Sequence, residues 1–226
     1  MIDHEPLWIA LAVSFRLAFS TVLVLFCFGV PVAYWLAFTK SRLKPLLESI
    51  VSVPIALPPT VIGFYVLLCF GRESLIGTWF SETLGVELVF SFWGILLGSA
   101  LYCLPFMVQP VKTGLESVPK ECVESARLDG ASVLQVLWRV LLPLSRRSIV
   151  VGAALTFVHA LGEFGIVMMI GGSIEGETRT ASIALYDAVQ ALKIAEAHRI
   201  ALVILAVALF VSLVIFWHQR STEAEK

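Results

Sequence analysis

The chain has 226 residues, of which 58% are hydrophobic and 15% charged, and its mean hydropathy is +0.91. A soluble domain carries about a quarter charged residues, so the composition excludes an ordinary soluble fold and reads as a polytopic, all-α membrane protein. The net charge of −1 leaves no electrostatic footprint for nucleic acid.

Asp3 and Glu5 stand where a secretory signal carries positive charge, and the apolar run after them is too long for a signal core. The first segment is therefore expected to be retained. A helix crossing a bilayer needs about 20 apolar residues. Five stretches qualify, at roughly 11–38, 46–70, 90–111, 149–170 and 200–217. No internal repeat or low-complexity linker divides them, so one transmembrane domain over 1–226 is expected. Trp8, Trp79, Trp93 and Trp217 fall near span ends, as interfacial anchors do.

Gly29 and Pro31 interrupt the first span and predict a kink or tilt. Pro54, Pro58 and Pro59 interrupt the second. Proline removes a backbone donor and bends a helix. Broken backbone at membrane depth survives where it is packed in protein or lines a water-filled route. Pro58, Pro59, Thr60 and Gly63 are thus candidate pathway residues, Thr60 for its hydroxyl and Gly63 for a narrow helix face. A simple packing kink is the alternative.

A polar hairpin at about 117–143 separates the third and fourth spans. Ser117 is placed to cap a helix whose first turn holds Pro119. Glu121 and Glu124 lie early in that helix, where they favour its dipole. Gly130 ends it, by adopting positive φ or by letting another backbone approach. Ser132 and Gln135 have the spacing of a capping box for a second, mostly apolar helix over 133–142. Pro143 is expected to stop that helix before Arg146 and Arg147. The first helix then presents Glu124, Arg127 and Leu128 to its surroundings, as a docking element or as an ordinary amphipathic loop.

The fourth span carries one acid, Glu163, four residues after His159. Intramembrane acids are costly and face a bundle interior, and residues four apart share a helix face. A metal or catalytic His-x-x-x-Glu pair lacks a third ligand nearby. An acid in a translocation route repels an anion unless paired or protonated. A structural carboxylate held by His159 or by a backbone N–H is the reading preferred here. Phe164, between glycines, is a candidate gate. The Gly-rich stretch 171–180 reads as an outward loop, and Glu175 and Glu177 argue against an oxyanion nest there. It suits docking of a soluble protein better, or is merely solvated. A helix over 181–192 follows.

Cys27, Cys69, Cys103 and Cys122 have neither zinc-ligand nor redox spacing and are read as packing residues. No Walker A, Gly-x-Ser-x-Gly or His-Glu-x-x-His sequence occurs. An intramembrane enzyme using His159 and Glu163 is therefore a remote alternative.

Glu124-Ser125-Ala126, three residues, Gly130, nine residues and Val140-x-Leu142-Pro143 resemble the EAA loop of bacterial ABC importer permeases, with Ser125 replacing the usual Ala and Val140 the usual Ile. Leu57-Pro58-Pro59, Gly162-Glu163-Phe164-Gly165 and the Gly-Glu-Thr-Arg-Thr run ending at Thr180 are similar to molybdate-type permeases. The resemblance covers nearly the whole chain. It implies a type I ABC importer permease fold with five transmembrane helices and a cytoplasmic EAA-type coupling helix. It implies coupling to a separate ATPase through Glu124, Ser125, Ala126, Arg127, Leu128, Gly130 and Pro143. It also implies a translocation pathway past Pro58, Pro59, Thr60, Gly63, Glu163 and Phe164. The expected assembly is two copies of this chain, a cytoplasmic ABC ATPase dimer holding ATP and Mg, and an extracytoplasmic molybdate-binding protein. No cofactor or metal is expected on this chain itself. Sulfate and tungstate are the alternative cargoes, and the expected location is a bacterial or archaeal inner membrane.

Positive charge orients the chain independently of that resemblance. With the EAA-like loop inside, Lys40, Arg42, Lys44, Lys112, Lys120, Arg127, Arg139, Arg146, Arg147, Arg220 and Lys226 lie inside, and Arg16, Arg72, Arg179, Lys193 and Arg199 outside. The N-terminus is then outside and the C-terminus inside. Reporter fusions at Thr39, Gly71, Gly130, Gly172 and Ser221 should alternate inside, outside, inside, outside, inside. A cytoplasmic Gly172 would overturn this orientation.

Overall fold

The structure, a computed structural model, describes the backbone of residues 5–220 and the side chains of residues 7–214. Met1, Asp3, Ser221 and Lys226, and the side chains of Glu5 and Trp217, lie outside the described set. Among the described residues the fold is all-helical. In chain order it comprises α1 (Glu5–Phe38), α2 (Lys44–Ala56), α3 (Pro59–Phe70), α4 (Leu75–Leu84), α5 (Phe92–Glu116) and α6 (Lys120–Leu128). Then come α7 (Val133–Leu144), α8 (Arg146–Gly162), α9 (Gly165–Gly171), α10 (Ala181–Gln190) and α11 (Ile194–Arg220).

Three of these, α1, α5 and α11, are continuous helices long and apolar enough to cross a membrane. Two bent pairs raise the count to five, matching the expected number. The second expected span is α2 and α3, whose axes meet at 111° across Leu57 and Pro58. Prolines at the start of α3 and inside α2 account for the turn. The expected continuous helix over 149–170 is also broken. α8 stops at Gly162, Glu163 is extended, and helix resumes only at Gly165. At its other end α8 turns by 75° from α7.

Helix α5 is the centre of the molecule. α1 and α8 pack on it and on each other, around Leu25, Met107, Val108, Val111, Leu115, Phe157 and Ala160. α9 sits between α3 and α5. A Cβ on Gly63 would fall 2.9 Å from Met169 Cβ, and one on Gly98 would fall 2.5 Å from Ile166 Cγ2, so both glycines admit α9. α11 packs on α8 and α10 and leaves Leu205, Leu209, Phe210 and Leu213 exposed. Such an apolar surface suits lipid and not water. Trp8, Trp79 and Trp93 are likewise exposed, as the anchor reading requires.

Hydrogen bonds and ion pairs hold the two ends. Ser14 Oγ accepts the buried Ala181 N–H at 2.8 Å, joining α1 to the start of α10. Phe90 N–H donates to the Ile170 carbonyl at 2.8 Å, joining the end of α9 to the approach to α5. At the opposite end of α5, Lys112 pairs with Glu48, and Lys44 with Glu116 at 3.3 Å. Above that ladder Gln109 donates to Ser52 Oγ at 2.7 Å.

Several expectations need correction. α4 is a helix that the hydropathy pattern did not reveal. α10 ends at Gln190, before the expected Leu192. Of the four cysteines read as packing residues, only Cys103 is buried; Cys27, Cys69 and Cys122 are exposed.

The α5–α8 contact is testable. A Cβ on Gly114 would lie 2.4 Å from Ser148 Cβ. Gly114→Ala should lower stability by about 1–3 kcal/mol through overpacking. Gly162→Ala meets no atom within 4 Å and should not. Thermal unfolding of the detergent-solubilised protein would compare the two.

Candidate functional site

Two regions carry the residues singled out by sequence. The first is the hairpin after α5. Pro119, rather than Ser117, occupies the cap of α6, and the Ser117 hydroxyl instead donates back to the Gly114 carbonyl at 2.7 Å. The chain is extended at Pro119 and helix begins only at Lys120, so the cap falls two residues after Ser117. α6 ends in a Schellman motif. Gly130 has φ of +80°, its N–H donates to Arg127, and the Ala131 N–H donates to Ala126. Among the described residues, its chain neighbours aside, nothing comes within 4 Å of a Cβ built on Gly130, so the space beside it is open.

The expected capping box is formed. Ser132 Oγ accepts from Gln135 N–H at 3.3 Å and Gln135 Oε1 accepts from Ser132 N–H at 2.8 Å. Pro143 does not stop the second helix. A π-helical turn over Leu137–Leu141 precedes it, with the Leu142 N–H on the Leu137 carbonyl. Because proline has no N–H to lose, helix continues to Leu144 and breaks at Ser145.

Val123, Ala126 and Ala131 turn inward onto the core, with the buried Val136 beneath them. Glu124, Ser125, Arg127, Leu128 and Gly130 are exposed, Leu128 by 88%. The sequence grouped Ala126 with the outward residues; it is half-buried and seats the helix. Pro143 is exposed. An unpartnered leucine at that exposure, flanked by Glu124 and Arg127, makes a compact mixed-charge surface.

The second region is where the α2–α3 bend meets the α8–α9 break. A Cβ on Gly165 would stand 3.0 Å from Pro59 Cβ and 3.2 Å from Thr60 Cγ2, so the missing side chain lets the two interruptions touch. Around the contact lies a cavity of about 540 Å³ bordered by Pro59, Thr60, Tyr102, His159, Glu163 and Phe164. Two expected members are absent from its wall. Gly63 is buried against α9, and Pro58 caps α3 on the exposed bend.

Glu163 is buried and its Oε1 accepts the Ile166 N–H at 3.0 Å. It therefore satisfies the start of α9 as a structural carboxylate, held by backbone. His159 is not its partner in that role. The imidazole Nδ1 lies 2.9 Å from the Leu155 carbonyl, and the ring stacks on Phe106 with centroids 3.6 Å apart. The helix ends between His159 and Glu163, so the shared helix face expected from their spacing is not formed. Among the described residues no group of three or more His, Cys, Asp or Glu is disposed to hold a metal. Phe164 is half-buried, 5.1 Å from the Tyr186 ring centroid.

Sequence reasoning missed Tyr102 and Phe106. Both lie one turn apart on α5, an apolar segment in which a tyrosine carries no spacing signal. The 171–180 loop is held by internal hydrogen bonds rather than merely solvated. Thr178 is buried, donates to the Gly171 carbonyl at 2.7 Å and accepts from Ile174 N–H at 3.0 Å. Arg179 pairs with Asp187 at 3.1 Å.

Comparison with known proteins places this geometry. The family described as "Binding-protein-dependent transport system inner membrane component" matches residues 29–223. The molybdenum transport system permease protein ModB of Azotobacter vinelandii is 39% identical over 193 residues, covering 85% of each chain. ModB of Escherichia coli K12 is 35% identical over 190 residues, 84% of this chain and 83% of that one. Among solved structures, a bacterial ABC transporter that imports the acidic polysaccharide alginate aligns with a TM-score of 0.78 at 17% identity, covering 97% of this chain and 81% of that chain. The MetNI methionine ABC transporter, in an inward-facing form, aligns with a TM-score of 0.67 at 17% identity, over 96% and 94%. Those two likenesses speak to fold alone. The chain belongs to the inner membrane components of binding-protein-dependent transport systems: it is a polytopic transport subunit with the type I ABC importer permease fold, not an enzyme.

Proposed function

We propose that this chain is the permease subunit of a molybdate importer, a single transmembrane domain over residues 1–226. The observation that carries the cargo is the 39% identity, across 85% of both chains, with a permease named for molybdenum transport. The cavity chemistry supports it. A dianion crossing a membrane needs a wet, protein-lined route that never binds it tightly. Among the described residues no Lys or Arg borders the cavity between the α2–α3 bend and the α8–α9 break, so no fixed cation there would trap an oxyanion.

In this reading two copies of the chain enclose the pathway. One copy's cavity is bordered by only a few helices, and a symmetric pair closes it. Pro59, Thr60, Glu163 and Phe164 border the route, with Pro58 and Gly63 shaping it. The N-terminus is outside and the C-terminus inside. A cytoplasmic ABC ATPase dimer, holding ATP and Mg, docks on Glu124, Ser125, Arg127, Leu128 and Gly130, and Ala126 and Pro143 hold that surface in place. A soluble molybdate-binding protein docks on the opposite side, near the ordered loop 171–180. The alginate transporter has been solved with its periplasmic protein bound, which supports a partner of that class here.

Uptake into proteoliposomes, with the cognate binding protein and ATPase present, tests the cargo. Molybdate should be imported and tungstate should compete, because the two tetrahedral anions are nearly alike in size. Sulfate uptake outpacing molybdate would replace the cargo and leave the importer intact.

Coupling is tested at Gly130. Gly130→Ala and Gly130→Arg share the same backbone strain at positive φ, about 1 kcal/mol, but only arginine fills the open space beside it. Gly130→Arg should abolish ATP-driven uptake with membrane insertion retained, while Gly130→Ala should keep most of it. Equal transport by the two variants would make Gly130 a turn residue only.

A further inference from the structure

Tyr102 borders the cavity, and Trp93 and Ala100 stand about half a turn round α5 from it. On that far side they line an apolar groove of about 630 Å³, together with Val24 of α1, Phe70 of α3, and Phe80 and Leu84 of α4. Every side chain on its wall is apolar. From Phe92, where α5 begins, down to Ala100 the helix descends about 12 Å. That is most of the roughly 15 Å of hydrocarbon in one leaflet. The groove thus has the depth of an acyl chain entering from the end of the bundle where α3 stops and α5 starts.

A second space, about 330 Å³, adjoins the groove at Phe70 and Leu88, which border both. It is polar where the groove is not. Arg72 and Glu87 pair across it, beside Ser81 and Gly71. Only Nη2 and Oε2 meet, which leaves the other guanidinium N–H groups and Glu87 Oε1 without a partner among the described residues. An exposed ion pair of this kind adds little stability by itself. Residues 71–90 set the single cation Arg72 against Glu73, Glu82 and Glu87, all exposed. Such surroundings repel a ligand that is anionic overall and favour one that brings a positive charge with its negative one. Bonds within the chain fix the walls. Ser74 Oγ donates to the Gly71 carbonyl at 2.8 Å and accepts from Gly77 N–H at 2.9 Å, holding α4 against the end of α3. Gly94, lacking a Cβ, lets the Leu88 carbonyl lie on the start of α5.

We propose that the groove and the polar space together hold one phospholipid whose headgroup carries both a phosphate and a primary ammonium, as phosphatidylethanolamine does. An acyl chain lies between α1, α4 and α5. The phosphate accepts from the unpaired N–H groups of Arg72, and the ammonium donates to Glu87 Oε1. An anionic headgroup meets the three glutamates instead, and a trimethylated ammonium has no N–H to give Glu87. The exposed indoles of Trp79 and Trp93 stand at the same end of the bundle, as side chains at a headgroup boundary do. The inference rests on a second copy closing the cavity side, since that leaves this opposite face of α5 to lipid.

Native mass spectrometry of the intact transporter, titrated with phospholipids of identical chains, tests the site. Phosphatidylethanolamine should bind once per permease chain, about tenfold more tightly than phosphatidylglycerol or phosphatidylcholine, the worth of one hydrogen bond to a charged group. Glu87→Gln should bring it level with phosphatidylcholine, and Arg72→Gln should weaken all three lipids. Both side chains are exposed, so neither change threatens folding. Equal affinity of the wild-type complex for the three lipids overturns the inference, as does a Glu87→Gln variant that keeps the preference. Glycerophosphoethanolamine, the same headgroup without chains, should not compete; competition at equal concentration reduces the site to a headgroup pocket and overturns the lipid. Cross-linking of two copies through Leu84→Cys, in a chain whose native cysteines are replaced, gives the groove to the permease pair and overturns it too. Each of these failures leaves molybdate uptake, and with it the importer reading, intact.

Discussion

Two breaks in helical backbone at membrane depth persist because they lie against each other. In hydrocarbon an unpaired N–H or C=O costs several kcal/mol, so irregular backbone is tolerated only when packed or wetted. The α2–α3 bend removes donors at Pro58 and Pro59. The α8–α9 break answers it with Gly165, whose lack of a Cβ admits the Pro59 ring, and with Glu163, which takes the Ile166 N–H in the first turn of α9. Gly63 and Gly98 extend the same principle by letting α9 slot between α3 and α5. Fill any of these gaps and the backbone groups at the breaks separate from their partners.

The cavity is a by-product of that contact. The chain bends by 111° between α2 and α3, and side chains that flank this bend and the α8–α9 break border the cavity. That is why a tyrosine from α5 and a histidine from α8 join a threonine and a glutamate from elsewhere in the chain. The result is polar but weakly charged, a wall suited to passing an anion along rather than holding it.

The hairpin around α6 is built by opposite means. On α6 itself no residue is fully buried; Val123 and Ala126 seat it on the core, and Val136 and Leu141 of α7 anchor the hairpin. Its shape comes from local hydrogen bonds, the Schellman motif at Gly130 and the capping box at Ser132. A short surface helix is marginal alone, and these reciprocal bonds supplement its narrow apolar face at Val123 and Ala126. The side chains facing away from the bundle are left free for a partner.

That difference decides what was legible. Composition and hydropathy alone pointed to an all-helical membrane chain with five long apolar stretches, because burial in lipid demands such runs; three of them are continuous helices and two are bent pairs. The turn at Gly130 and the Ser132–Gln135 cap were readable because each is closed by bonds within six residues. Ser117 and Pro143 were misread for a local reason: the extended backbone at Pro119 took the cap position, and a π-helical turn absorbed the missing donor of Pro143. The break at Glu163 was invisible in hydropathy, since Phe164 and its glycines read as ordinary span. Only the tertiary structure decided that Glu163 answers to Ile166 and His159 to Leu155 and Phe106. It alone separated Gly63 from Thr60, the one into packing and the other onto the cavity wall. Apolar periodicity records which residues leave water, whereas the partners they meet depend on contacts between segments far apart in the chain.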